Sequence, residues 1–266
     1  MILRSLMEHV HDQNWVAVCL DFFIVVVGVF IGFQVSNWNE LQNERAAAVS
    51  FEQRLRDDLR DQGKEYDAMI EYYEAVRDAA SRTLERLDDG AELDDEAFLI
   101  DAYRATHYVG IIPFRSTYDE LKASGGLRLI DPGLLRAVSG AFESSEVAER
   151  SVRFVDAPYR AIFRRSIDPD LQKILAQACG DKFDGTSMES GGFADIQEFP
   201  SISYDCGIDV EPTILRTAAD ALIENETIAP DLRFQIVEYD ARITLIQSQR
   251  SFVEAGLTST ADPTPR

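Results

Sequence analysis

Side chains that titrate or react near neutral pH are scarce in this chain, with three histidines and three cysteines among 266 residues. His9 and His11 stand beside Glu8 and Asp12, donor types that could bind a metal weakly. Residues two apart on a helix point to different faces, so the two imidazoles do not converge and no metal site is expected. His107, next to Tyr108 at a predicted helix end, reads as a capping or surface residue. No serine-centred elbow, phosphate loop or Cys-x-x-Cys pair occurs. The Ser124-Gly125-Gly126 turn could offer backbone N–H groups to an anion, and a helix C-cap is the simpler account of it. With so few general bases of suitable pKa, neither an enzyme nor a bound cofactor is expected.

The cysteines point to a structural chemistry. Cys179 and Cys206 lie in the least helical stretch, and a disulfide between them would close a loop of about 27 residues. In the loop-entropy model such a bridge contributes about 3 kcal/mol. Two unpaired, buried thiols are the alternative. Disulfides persist in oxidising compartments, so a bridge would place this part of the chain outside the cytosol. Cys19 reads as a small apolar filler, or as an acylation site if it faces the cytoplasm.

Cys19 belongs to the one long apolar run, bounded by the only two tryptophans, Trp15 and Trp38. As a helix the run rises roughly 35 Å, enough to cross a hydrocarbon core of about 30 Å with both indoles at the interfaces. The apolar residues cover every face, unlike a helix on the surface of a soluble domain. No small-x-small cleavage site follows, so a retained transmembrane helix is expected rather than a signal peptide. Asp21 lies about 9 Å inward from Trp15 by helical rise. An ionisable group there is either a functional site or a residue that reaches back to the headgroups or carries a proton. Gly28 and Gly32 form a G-x-x-x-G pair on which two copies could pack closely.

The stretch from Asp21 through an aliphatic, glycine-containing run to Gln34-Val-Ser-Asn-Trp-Asn-Glu40 resembles the opening of an uncharacterised bacterial family, domain of unknown function family 6090. Thr117 to Ile130, with Leu-Lys-Ala-Ser-Gly-Gly-Leu-Arg-Leu-Ile at its end, is similar to a second segment of that family. The resemblance implies a bacterial membrane anchor followed by a helical domain, with no known activity. The N-terminal tail departs from the family pattern, being short and nearly neutral where members tend to be basic.

Orientation must therefore be read from other features. Arg4 alone precedes the span while Arg45, Arg54 and Arg56 follow it, which taken literally puts the larger part in the cytoplasm. Glu40, Glu44 and Glu52 are interleaved with those arginines, and the Cys179–Cys206 pair argues for the periplasm. The expected location is the bacterial inner membrane with a periplasmic domain.

The net charge of −21 rules against nucleic acid as a partner, since phosphate neutralisation needs clustered Lys and Arg. After Trp38 a helical pattern continues through Phe51, Leu55, Leu59, Tyr66, Met69, Tyr73, Val76, Ala80, Leu84 and Leu87 in steps of three and four with one gap of seven. Asp88-Asp89-Gly90 should end it. Shorter helices are predicted over 94–108, from Ser116 or Thr117 to Ser124, from Pro132 with an interruption at Pro158, over 170–178, and from Pro212. A last long helix runs from Ala229-Pro230. Residues 180–210 read as an irregular excursion with a short strand at 201–204.

The expected architecture is all-α: a tail at 1–14, a transmembrane helix at 15–38, an up-and-down helical bundle at 39–256 and a disordered tail at 257–266. Such a protein suits an interaction or scaffold role in the cell envelope, with the bilayer, a second copy or another membrane protein as partner. The alternative is a sensory or ligand-binding ectodomain that signals through a membrane partner.

Overall fold

The computed structural model describes residues 15–90, 94–110, 114–151, 157–183, 200–202 and 204–259. The class is all-α, with eight α-helices among the described residues. The chain divides into two compact units, Met1–Phe51 and Glu52–Arg266. One helix, α1 (Trp15–Asp89), runs through both.

In the first unit the apolar segment of α1 between residues 20 and 35 is exposed almost throughout. Leu20, Phe22, Phe23, Ile24, Val25, Val26, Val29, Phe30, Ile31, Phe33 and Val35 are all exposed. An 18-residue window here has mean hydropathy 1.6 and is 0% buried, so the helix is long and apolar enough to cross a membrane.

In the second unit α1 ends at Asp89, and Gly90 follows with φ of 64°. Helix α2 (Asp95–Arg104) starts where the Asp94 carboxylate accepts the Ala97 N–H at 2.6 Å. It stops short of the predicted Tyr108. The Ala105 carbonyl accepts from Gln235 Nε2 at 2.7 Å and Tyr239 O–H at 2.8 Å. Two distant side chains therefore hold the carbonyl that a longer helix would have used. Helix α3 (Ser116–Ser124) has neither Ser116 nor Thr117 as its cap. Instead the Thr117 N–H donates to Asp58 Oδ2 on α1 at 3.0 Å. Desolvation pushes the Asp58 carboxyl upward, against the lowering effect of that bond. Gly125, at φ 73°, closes α3 as the left-handed C-cap, with its N–H on Leu121 O.

A 3-10 turn (Gly126–Leu129) leads to helix α4 (Pro132–Ser151), where Asp131 Oδ1 accepts from Gly133 N and Leu134 N. The predicted break at Pro158 is a full separation: α5 (Pro158–Ser166) is a new helix. Helix α6 (Pro169–Cys179) is capped by Asp168. A two-residue pair, β1 (Lys182–Phe183) with β2 (Pro200–Ser201), is antiparallel. Helices α7 (Pro212–Ile223) and α8 (Ile228–Thr258) complete the unit. The expected tail from 257 begins too early, because Leu257 and Thr258 are still helical; 260–266 lie outside the described residues.

Long-range contacts set the directions. Arg56 donates to Gly256 O and Ser259 O, Arg250 pairs with Asp67, and Arg233 pairs with Asp88, so α8 runs antiparallel to α1. Phe114 N bonds Gln62 and Arg54 pairs with Glu120, which brings α3 back along α1. Glu52 accepts from Asp131 N and Tyr66 O–H donates to Ala141 O at 2.7 Å, so α4 again runs with α1. This is an up-and-down order whose second limb is the short α3. Helices α6 and α7 pack against α2, and α5 packs against α8 and α7.

The core between α1, α4 and α8 contains Leu55, Leu59, Tyr66 and Met69, then Leu134, Ala137, Val138 and Phe142, then Ile246 and Val253. On α4 it is Leu134 that is buried, with Leu135 only half-buried. The gap of seven in the α1 stripe is also buried, by Gln62 and Glu65 at 1% and 2% exposure. Gln62 turns its oxygen to the Phe114 N–H at 2.9 Å, so a polar pair fills the position where the periodicity lapses.

Candidate functional site

Helix α6 delivers Cys179, fully buried, to the edge of the second unit, where it is bonded to Cys206 with a Cα–Cα distance of 5.5 Å. The bond, the β1–β2 pair and Tyr204 hold the 200–206 segment in place. The Tyr204 hydroxyl donates to Gly180 O. From α2, Arg104 reaches the same segment: its NH2 donates to Tyr204 O at 2.5 Å and to Cys206 Sγ at 3.3 Å. The guanidinium lies over the Tyr204 ring at 5.1 Å.

Asp181, two residues beyond the disulfide, is a hub. Its Oδ1 accepts from Tyr72 O–H at 2.8 Å and from His107 Nδ1 at 2.9 Å. A carboxylate only accepts, so Nδ1 carries the proton in this arrangement. Burial first, and the Asp181 charge second, push the Tyr72 phenol far above its usual range. The Tyr103 ring meets the His107 ring edge-on at 4.6 Å. The sequence suggests a capping or surface residue at His107, but its side chain is 11% exposed and its ring bonds Asp181, joining the end of α2 to the end of α6. This is a clamp: Tyr239 O–H donates to the His107 carbonyl at 3.1 Å, and no hydroxyl or thiol nucleophile bonds the His107 imidazole among the described residues.

Beside the clamp is a polar cleft of about 490 Å³. Helix α1 contributes Ala75, Asp78 and Arg82, α2 contributes Arg104, and the disulfide-held segment contributes Ile202, Tyr204 and Asp205. Arg82 is occupied by a two-bond fork to Asp101, at 2.8 and 2.7 Å. Asp78 accepts from Arg77 through Oδ1. Arg104 holds no carboxylate among the described residues, and its Nε is buried without an acceptor. A second, more apolar groove of about 600 Å³ lies between α6 and α7, with Leu171, Ile174 and Ile214 in its wall.

The sequence-predicted positions are scattered relative to this cleft. Cys179 and Cys206 do not line it, and their bond ties down the segment that supplies Ile202, Tyr204 and Asp205. Of the α1 stripe, Tyr73 meets the neighbouring Tyr72 edge-on at 5.5 Å and continues to Tyr239, while Tyr66 bonds elsewhere. In the first unit, Gly28 and Gly32 are open: a Cβ added at either would meet nothing within 4 Å. Trp38 and Cys19 are exposed. Trp15 and Asp21 fall within α1, and their side chains lie outside the described residues, as do His9 and His11. No group of three metal-ligating side chains occurs among the described residues. Arg82, Arg104, Asp181 and Asp205 were not legible as site residues, because each joins its neighbours only through long-range packing.

Searches against protein-family models, curated proteins and solved structures find no match to this chain.

Proposed function

We propose that this is a single-pass protein of a bacterial inner membrane whose helical domain stands in the periplasm and serves as an interaction or scaffold module. The exposed apolar length of α1 is the observation that carries it. Each large apolar side chain there forgoes roughly 1.5–3 kcal/mol by remaining in water. Insertion of Asp21 costs only about 3 kcal/mol on translocon scales. The balance favours a bilayer. The Cys179–Cys206 bond supports the oxidising side. Kinship to domain of unknown function family 6090, on Asp21–Glu40 and Thr117–Ile130, is part of the same proposal.

Reporter fusions after Arg266 test the placement. A periplasm-active phosphatase should be active and a cytoplasm-active fluorescent protein dark. The reverse pattern would overturn the periplasmic placement. A second copy packed on the Gly28/Gly32 face is the partner proposed within the membrane. Paired Gly28→Ile and Gly32→Ile changes should then lower the dimer fraction in nanodisc or detergent cross-linking; an unchanged fraction removes that face from consideration.

The polar cleft favours a second reading, a ligand-binding ectodomain. The cleft is walled by α1 itself, so an occupant would contact the helix that also carries the apolar segment.

A further inference from the structure

In a chain with 47 acidic and 26 basic residues, a carboxylate is seldom far from an arginine. Arg82, Arg86, Arg216, Arg233 and Arg250 each hold one. Arg104 departs from this, as Arg56 and Arg160 do with their carbonyl acceptors, and of these three it is Arg104 that lines the polar cleft. It is half-buried, it is oriented by bonds to a carbonyl and a disulfide sulfur, its ring neighbour is Tyr204, and no carboxylate among the described residues meets it. A partly desolvated cation without a counter-charge costs stability unless something supplies one. On the same cleft wall, Asp205 is exposed and holds no ion pair among the described residues, and Asp78 uses one oxygen on Arg77. The cleft thus presents an unanswered guanidinium and nearby unanswered carboxylate capacity, with Ala75 and Ile202 as an apolar wall.

We propose that this cleft binds a small zwitterion, an α-amino acid or dipeptide. Its carboxylate answers Arg104, and its ammonium group answers Asp205 and the open oxygen of Asp78. A dianion such as phosphate would meet the two aspartates as repulsion, and an amine alone would leave Arg104 as it is. A volume of about 490 Å³ has room for such a molecule and its side chain. The inference rests on the ligand-binding reading and names its ligand class.

The test is calorimetric titration of the full chain in nanodiscs with the standard L-amino acids and Ala-Ala, and with propionate, propylamine and inorganic phosphate as separate arms. At least one zwitterion should saturate the protein below about 10 mM, with propionate and propylamine at least about tenfold weaker. Arg104→Gln should weaken that ligand by about 10- to 100-fold, since a charge-assisted bond is lost. Asp205→Asn, at an exposed position, should weaken it about tenfold without changing thermal stability. Arg216→Gln, which removes a surface pair away from the cleft, should change nothing. Where Arg104→Gln fails to fold, Asp205→Asn decides, and unchanged affinity overturns the proposal. Phosphate or propionate binding as tightly as any zwitterion overturns the ligand class and leaves a ligand site standing. No saturable binding in any arm overturns both the class and the ligand-binding reading.

Discussion

Cys206→Ser is expected to remove about 3.5 kcal/mol from the stability of the helical domain, the value of closing a loop of 27 residues in the unfolded chain. Cys206 is the better residue to replace, because it is half-exposed and a serine there keeps access to water. Cys179 is fully buried, and a hydroxyl in its place would add the cost of an unpaired polar group. The measurement is denaturant unfolding of the full chain in detergent, with and without a thiol reductant. Reduced wild type and the variant should unfold at the same lowered midpoint, and reductant should leave the variant's midpoint unchanged. A wild-type midpoint indifferent to reductant would show that the bond contributes nothing. The loss should fall unevenly on the structure. Tyr204 still donates to Gly180 O and Arg104 still donates to Tyr204 O after the bond is gone, so the 200–206 segment keeps two ties. Arg104 loses its Sγ contact and with it part of its orientation. Any ligand affinity of the cleft should therefore fall in the variant, even under conditions where the domain remains folded.

Elements whose signals are local were readable from the sequence. Asp131 and Gly125 cap helices through their own side chain or backbone within a few residues, and the chain announces them. The apolar run between the tryptophans needs no partner to be recognised. Failures came where a distant group decides. The lapse in the α1 stripe at Gln62 and Glu65 is filled by residues from beyond α2, and helix α2 ends early because Gln235 and Tyr239 claim Ala105 O from 130 and 134 residues away. His107 reads as a capping or surface residue until Asp181, 74 residues on, is folded against it. The cleft is the extreme case. Arg104 and Tyr204 are 100 residues apart, neither belongs to a motif, and periodicity along a helix carries no information about what lies opposite. Only the cysteines hinted at this region, since a disulfide marks two distant segments as neighbours.

The packing of α1, α4 and α8 leads to a test with partly cancelling mutations. Gly256 sits where a Cβ would lie 2.6 Å from Leu59 Cδ1 and 3.1 Å from Ala137 Cβ. Leu59 is fully buried, so its methyl cannot swing into solvent to make room. Gly256→Ala should accordingly destabilise by about 1–3 kcal/mol through overpacking, although alanine is the better helix former. Leu59→Ala alone should cost about 2–5 kcal/mol, from lost apolar burial and the cavity left behind. Together the two changes should cost less than the sum of each. The alanine methyl at 256 then enters space that Leu59 has vacated, and the helix-propensity gain is no longer masked by a clash. A coupling of about 1 kcal/mol or more in that direction is expected from a double-mutant cycle on denaturant midpoints of the full chain. Simple additivity would mean that α1 and α8 are not in van der Waals contact at this level. The antiparallel register set by Arg56 on Gly256 O would then be wrong. That register also brings Asp67 to Arg250 and Asp88 to Arg233, so the cycle tests the pairing of the two longest helices of the domain from a single contact.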